Sequence, residues 1–159
     1  MEKIRFAGDQ QRLPAPGFQL TTADGQPVSL DDYRYRSNLV LLLANGVADE
    51  RWRDAVDAFA ARRREYEAND ARVLAVTTSP REEAGPGAFP RVASDPDGEV
   101  RRRYAALLPR QPDPDQALVF VLDRFATPHV AFITGDPAHP ALHRQIVSWL
   151  LGIELECPE

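Results

Sequence analysis

The 159-residue sequence holds a single cysteine, Cys157, and that scarcity excludes more than any motif asserts. One thiol cannot close an internal disulfide, so no disulfide scaffold holds the fold, and the usage fits a reducing cytoplasm. Lysine is nearly absent as well: Lys3 stands alone among 19 basic residues. The arginine excess and the 14 prolines read as compositional bias rather than as function. A net charge of −5 predicts no attraction to nucleic acid or to an anionic membrane surface. No apolar run approaches the ~20 residues of a membrane span; the longest, 39–44, is strand-sized. Met1-Glu2-Lys3-Ile4-Arg5 has no apolar stretch before a small-residue cleavage site, so no export signal is expected. There is no P-loop, no Gly-x-Gly-x-x-Gly, and no serine on a strained turn that would build a hydrolase triad. Nothing predicts a cofactor or a metal.

What is present reads as one α/β domain over residues 1–159. Residues 1–13 form a loosely ordered lead-in and 154–159 a loosely ordered tail. Phe18-Gln19-Leu20-Thr21 and Val28-Ser29-Leu30 alternate apolar and polar about an Asp24-Gly25 turn, which predicts a hairpin. Asp31 and Asp32 read as N-caps of a brief helical turn. Leu39-Val40-Leu41-Leu42-Leu43 has no alternation, so it predicts a strand buried on both faces. A helix is expected over 49–68, with Trp52, Ala55, Val56, Phe59, Ala60 and Tyr66 on one stripe. Val73-Leu74-Ala75-Val76 follows as a strand, making a βαβ unit with parallel neighbours. A loop over 77–90 precedes a short strand at 89–93. Then comes a helix with Val100, Tyr104 and Leu107 inward. Strands at 117–122 and 128–133 form an antiparallel pair, and a last helix covers 140–151 with Leu142, Ile146, Trp149, Leu150 and Ile153 on its stripe. The predicted class is an α/β sandwich: a central mixed sheet flanked by helices, with an N-terminal β-hairpin.

Four stretches resemble the alkyl hydroperoxide reductase and thiol-specific antioxidant branch of the peroxiredoxins, within the thioredoxin-like superfamily. They are 15–30 (Ala-Pro-Gly-Phe-Gln-Leu through Asp-Gly-Gln-Pro-Val-Ser-Leu), 38–45, Ser94-Asp95-Pro96-Asp97-Gly98-Glu99-Val100 with Tyr104, and Leu118 to Asp123. The resemblance implies a thioredoxin-like fold and a family site with the pattern Pro-x-x-x-Thr/Ser-x-x-Cys plus an arginine. In that family a thiolate at the first turn of a long helix attacks peroxide, its pKa lowered by the helix start. Counted without gaps, the family proline falls on Asn45, the threonine on Asp49, the cysteine on Trp52 and the arginine on Ala117. No thiol lies between residues 1 and 156, and no carboxylate or neutral side chain replaces a thiolate.

The resemblance therefore implies a redox-inactive scaffold acting by binding or assembly, with a homodimer expected as in the family. Two alternatives stand beside it. One is an antioxidant thiol oxidoreductase in which a partner subunit's tail brings Cys157 to the old pocket. The other is a small-ligand carrier using the vacated pocket. Glu154, Glu156 and Glu159 around Cys157 favour the protonated thiol, which reads as a free tail cysteine. Trp52 reads as core on its helix stripe, or else as the wall of a ligand or partner groove.

His139 and His143, with Asp136, have the four-residue spacing of facing ligands but no further ligand, so surface or capping roles are expected. His129 lies in a strand, with a packing or edge role. Arg62-Arg63-Arg64 and Arg101-Arg102-Arg103 fan through about 300° of helix surface and read as solvated faces. Asp95, Asp97 and Asp123 read as turn and cap residues rather than a cation site. Arg110 and Arg124 are the arginines nearest in sequence to position 117.

Overall fold

The computed structural model describes residues 1–6, 14–47, 50–79 and 87–156. Its strands are β1 (Glu2–Arg5), β2 (Gln19–Thr22), β3 (Pro27–Ser29), β4 (Asn38–Val47), β5 (Ala71–Ser79), β6 (Arg91–Ser94), β7 (Ala117–Leu122) and β8 (Pro128–Thr134). They join one mixed sheet in the order β1-β8-β7-β4-β5-β6-β2-β3. The helices are α1 (Glu50–Ala61), α2 (Arg63–Ala68), α3 (Glu99–Ala105) and α4 (Pro140–Glu156), with a 3-10 turn at Leu30–Asp32.

The unalternated run of β4 lies at the sheet's centre, as its composition requires. It pairs in parallel with β5 (Asn38 opposite Ala71, Ala44 opposite Thr77) and antiparallel with β7 (Leu39 opposite Leu122). Alternate residues feed two cores. Leu39, Leu41, Leu43, Leu74, Leu118 and Phe120 pack under α3, the hairpin and the 3-10 turn. Val40, Leu42, Val73 and Val119 pack under α1, α2 and α4, against Phe59, Tyr66 and Ile146 among others. Each such fully buried aliphatic or aromatic side chain contributes roughly 1.5–3 kcal/mol, so the doubly buried central strands anchor the molecule.

Several sequence expectations are corrected. Residues 2–5 of the expected lead-in form β1, pairing with β8 from Glu2 opposite Ile133 to Arg5 opposite Val130. The Arg5 guanidinium also lies 5.7 Å from the half-buried Trp149 ring. At the other end α4 continues to Glu156, where a loose tail was expected from 154. Glu154 is pinned there: its Oε1 accepts from Asn38 Nδ2 at 2.7 Å and from Arg124 Nη2 at 3.3 Å. The helix expected over 49–68 breaks at Arg62 (φ −108, ψ 20) into α1 and α2. The 3-10 turn is entered at Ser29, whose N–H donates to Asp32 Oδ2 at 2.9 Å, so Asp32 closes the turn from inside rather than preceding it. Leu107 is largely exposed, and Leu108 takes the buried place beyond α3.

Candidate functional site

A cleft opens at the C-terminal end of β4, where the parallel strands hand over to α1 and to the start of β7. Asn45, Arg51, Trp52, Thr77, Gln116 and Ala117 line it. The structure thus brings Asn45, Trp52 and Ala117 together, while Asp49 lies outside the described residues. Trp52 is 95% buried, its exposure 5%, and belongs to the core beneath α1. Its indole is at once core and cleft wall. The free space is about 50 Å³, room for a few ordered waters.

Three supports hold the cleft. Asp95 caps α3 with its side chain: Oδ2 accepts from Val100 N at 3.0 Å and Arg101 N at 3.4 Å. Gly98, at φ +65, lets the chain enter α3 close under the cleft; a Cβ there would lie 3.6 Å from Asn45 Oδ1. Arg101 is buried, contrary to its reading as a solvated face. Its Nη2 donates to the carbonyls of Asp113 (3.1 Å) and Gln116 (2.7 Å), fixing the segment that presents Gln116 and Ala117. Burial pushes the Arg101 pKa down.

The histidines divide. His139 caps α4, its Nδ1 accepting from Ala141 N at 3.0 Å. His143 is fully buried, where a surface or capping role was expected, with Nδ1 2.7 Å from the Tyr66 hydroxyl and Nε2 3.2 Å from the Pro137 carbonyl. Burial, then the Arg62 charge, pushes its pKa down to about 4. His129 packs inside the sheet, because β1 covers the outer side of β8; its Nε2 lies 2.8 Å from Asp123 Oδ2. Burial pushes the Asp123 carboxyl up, but hydrogen bonds from His129 and from the Thr127 and Phe125 N–H groups hold it below its ordinary value. Among the described residues no three His, Cys, Asp or Glu side chains are grouped to hold a metal ion.

Neither sequence-adjacent arginine enters the cleft lining. Arg110 pairs with Glu2 at 2.6 Å, and Arg124 with Glu154 at 3.3 Å beyond the opposite end of β7. The arginine that does line the cleft is Arg51, which the sequence reading did not single out. Thr77 and Gln116 were also missed. Thr77 had a signal: it stands opposite Ala44 at the C-terminal end of two parallel strands, where α/β sheets place their sites. Cys157 lies outside the described residues.

Residues 12–134 match the AhpC/TSA family. The chain belongs to the AhpC/TSA family. A search of curated proteins returned no match. The solved structures similar to this AhpC/TSA chain have a thioredoxin-like fold. Peroxidoxin BcpB from Mycobacterium tuberculosis shares 16% identity at TM-score 0.68, covering 88% of this chain and 95% of its own. Plasmodium yoelii thioredoxin peroxidase I shares 14% at TM-score 0.67, with 92% and 95% covered. A protein assigned as the thiol:disulfide interchange protein DsbE from Chlorobium tepidum shares 24% at TM-score 0.62, with 86% and 95% covered. At these identities the likeness shows the fold: the mixed sheet flanked by helices is thioredoxin-like. Among the described residues, no helix is long and apolar enough to cross a membrane.

Proposed function

We propose that this AhpC/TSA-family chain has given up thiol peroxidase chemistry and works by binding or assembly, as a homodimer. The observation that carries the reading is Trp52. It occupies the first helical turn beyond β4, beside Asn45 and Ala117, and fills with an indole the place where the family resemblance puts a thiol. The remaining lining offers amides, a hydroxyl, the Asp115 carboxylate and a guanidinium, and none of these attacks a peroxide oxygen at neutral pH.

The position of Glu154 argues against rescue by a thiol of the same chain, and the partner-tail alternative is decided by the alkylation and Cys157→Ser measurements below. Glu154 is held against Asn38 at the start of β4, and seven residues at ~3.3 Å put the cleft about 23 Å away. Cys157 is three residues further on, a reach of about 11 Å at most. A cleft with about 50 Å³ free also gives the carrier reading little to work with.

The reading is tested by alkylating the reduced protein over a pH series, alongside its solution mass. An ordinary thiol midpoint near 8.5 or above supports it, as does a mass twice that of the chain. A midpoint below neutrality, with peroxide oxidation lost in Cys157→Ser, overturns it in favour of a tail-thiol oxidoreductase. A monomer removes assembly from the proposal.

A further inference from the structure

We infer that an open groove at the N-terminal ends of β5 and β6 binds the anionic head group of a small molecule, between Arg36, Arg91 and the Tyr33 hydroxyl. The groove lies at the opposite end of the parallel strands from the Trp52 cleft, so it stands or falls independently of the proposed loss of peroxidase chemistry.

The sheet register creates it. Leu74 of β5 stands opposite Arg91 of β6, and Arg72 is two residues before Leu74. Side chains two apart share a face, so Arg72 and Arg91 project to the same side, towards Tyr33 below the 3-10 turn. Arg91 and Arg72 are both near enough to the Tyr33 hydroxyl to act on it electrostatically. Arg36 joins them from the segment leading into β4. The volume is about 430 Å³, within the ~300–1,000 Å³ of small-molecule sites.

The charges around the groove favour a head group over a diffuse polyanion. Asp32 is engaged by the Ser29 N–H, Asp70 lies 3.6 Å from Arg124, and Arg72 is paired with Glu67 at 3.3 Å. The guanidiniums left to a ligand are those of Arg36, which makes no ion pair among the described residues, and of Arg91. Two forks and a neutral phenol match one phosphate or carboxylate group. Burial pushes the Tyr33 pKa up, which keeps the hydroxyl protonated as a donor. Phe89 on the wall gives an attached apolar body something to touch.

Calorimetric titration of the full chain with phenyl phosphate, benzoate, inorganic phosphate and phenol tests the proposal. One saturable site per chain for phenyl phosphate or benzoate is expected, with inorganic phosphate weaker and phenol silent. Whichever aromatic anion binds tighter identifies phosphate or carboxylate as the preferred head. Arg36→Gln, at an exposed position that leaves the core untouched, and Arg91→Gln should each weaken binding about tenfold. Arg110→Gln, whose arginine pairs with Glu2 outside the groove, should leave it unchanged. Absence of saturation by either anion at about 1 mM, an unchanged Arg36→Gln, or an equal loss in Arg110→Gln overturns the assignment.

Discussion

The Tyr66 hydroxyl sits 2.7 Å from Nδ1 of His143, and both side chains are fully buried between the helices and the sheet. The Pro137 carbonyl only accepts, so the proton on the imidazole is at Nε2 and the tyrosine donates to Nδ1. Burial of the ring, with the Arg62 charge second, holds His143 neutral down to about pH 4 in the folded protein.

Stability should therefore fall in acid. The unfolded histidine titrates near 6.5 and the folded one near 4, so between those values the unfolded chain binds the extra proton. Unfolding free energy should drop by roughly 3 kcal/mol as pH falls from about 6.5 to 4. Urea titrations at several pH values read this directly, and His143→Gln should flatten that part of the profile. Persistence of the full slope in His143→Gln would assign the effect elsewhere.

Asp123 adds a second, lower acid step. Its depressed pKa means that its contribution is present above the ordinary carboxylate range and is lost as pH falls through the folded value. Asp123→Asn should loosen the β7–β8 turn, because its one amide oxygen is a weaker acceptor for the N–H groups of Phe125 and Thr127 and its NH2 group replaces the oxygen that pairs with His129. Amide exchange at 125 and 127 should speed up while β4 stays protected.

Trp52→Ala should cost about 3–5 kcal/mol, the range for emptying a large aromatic site in a core. Trp52→Phe should cost less than half of that. A thermal melt of the two variants distinguishes an indole that packs from one that merely borders solvent, for which both losses would be small.

Arg101→Met should destabilise by about 1–2 kcal/mol, since two carbonyls lose a charged donor while the methionine stem keeps much of the packing. The more telling readout is local: amide exchange over 113–116 should accelerate, exposing the segment that presents Gln116 to the cleft. Arg102→Met, about 100° round the helix and exposed, should leave that segment alone.

The central sheet was legible because composition decided it. Leu39 to Leu43 and Leu118 to Leu122 lack alternation, and only a strand covered on both faces tolerates that. β1 was not legible: four residues with three charges carry no strand signal, and tertiary pairing with β8 makes them one. Arg101 was hidden in a run of three arginines, where sequence gives each the same chance of facing water. His143 had a signal that went unread, since it shares the stripe of Ile146, Leu150 and Ile153. At the cleft, Trp52 and Ala117 line one pocket, although β4 carries a register shift between Ala44 and Val47. Arg51, Thr77 and Gln116 meet there only through folding.

The most direct test of the lost chemistry is hydrogen peroxide consumption by the purified, reduced protein, with intact mass followed in parallel. The account predicts a rate no faster than that of free cysteine. Rapid consumption with one oxygen added at Cys157 would contradict it and make this chain a peroxidase that uses its tail thiol.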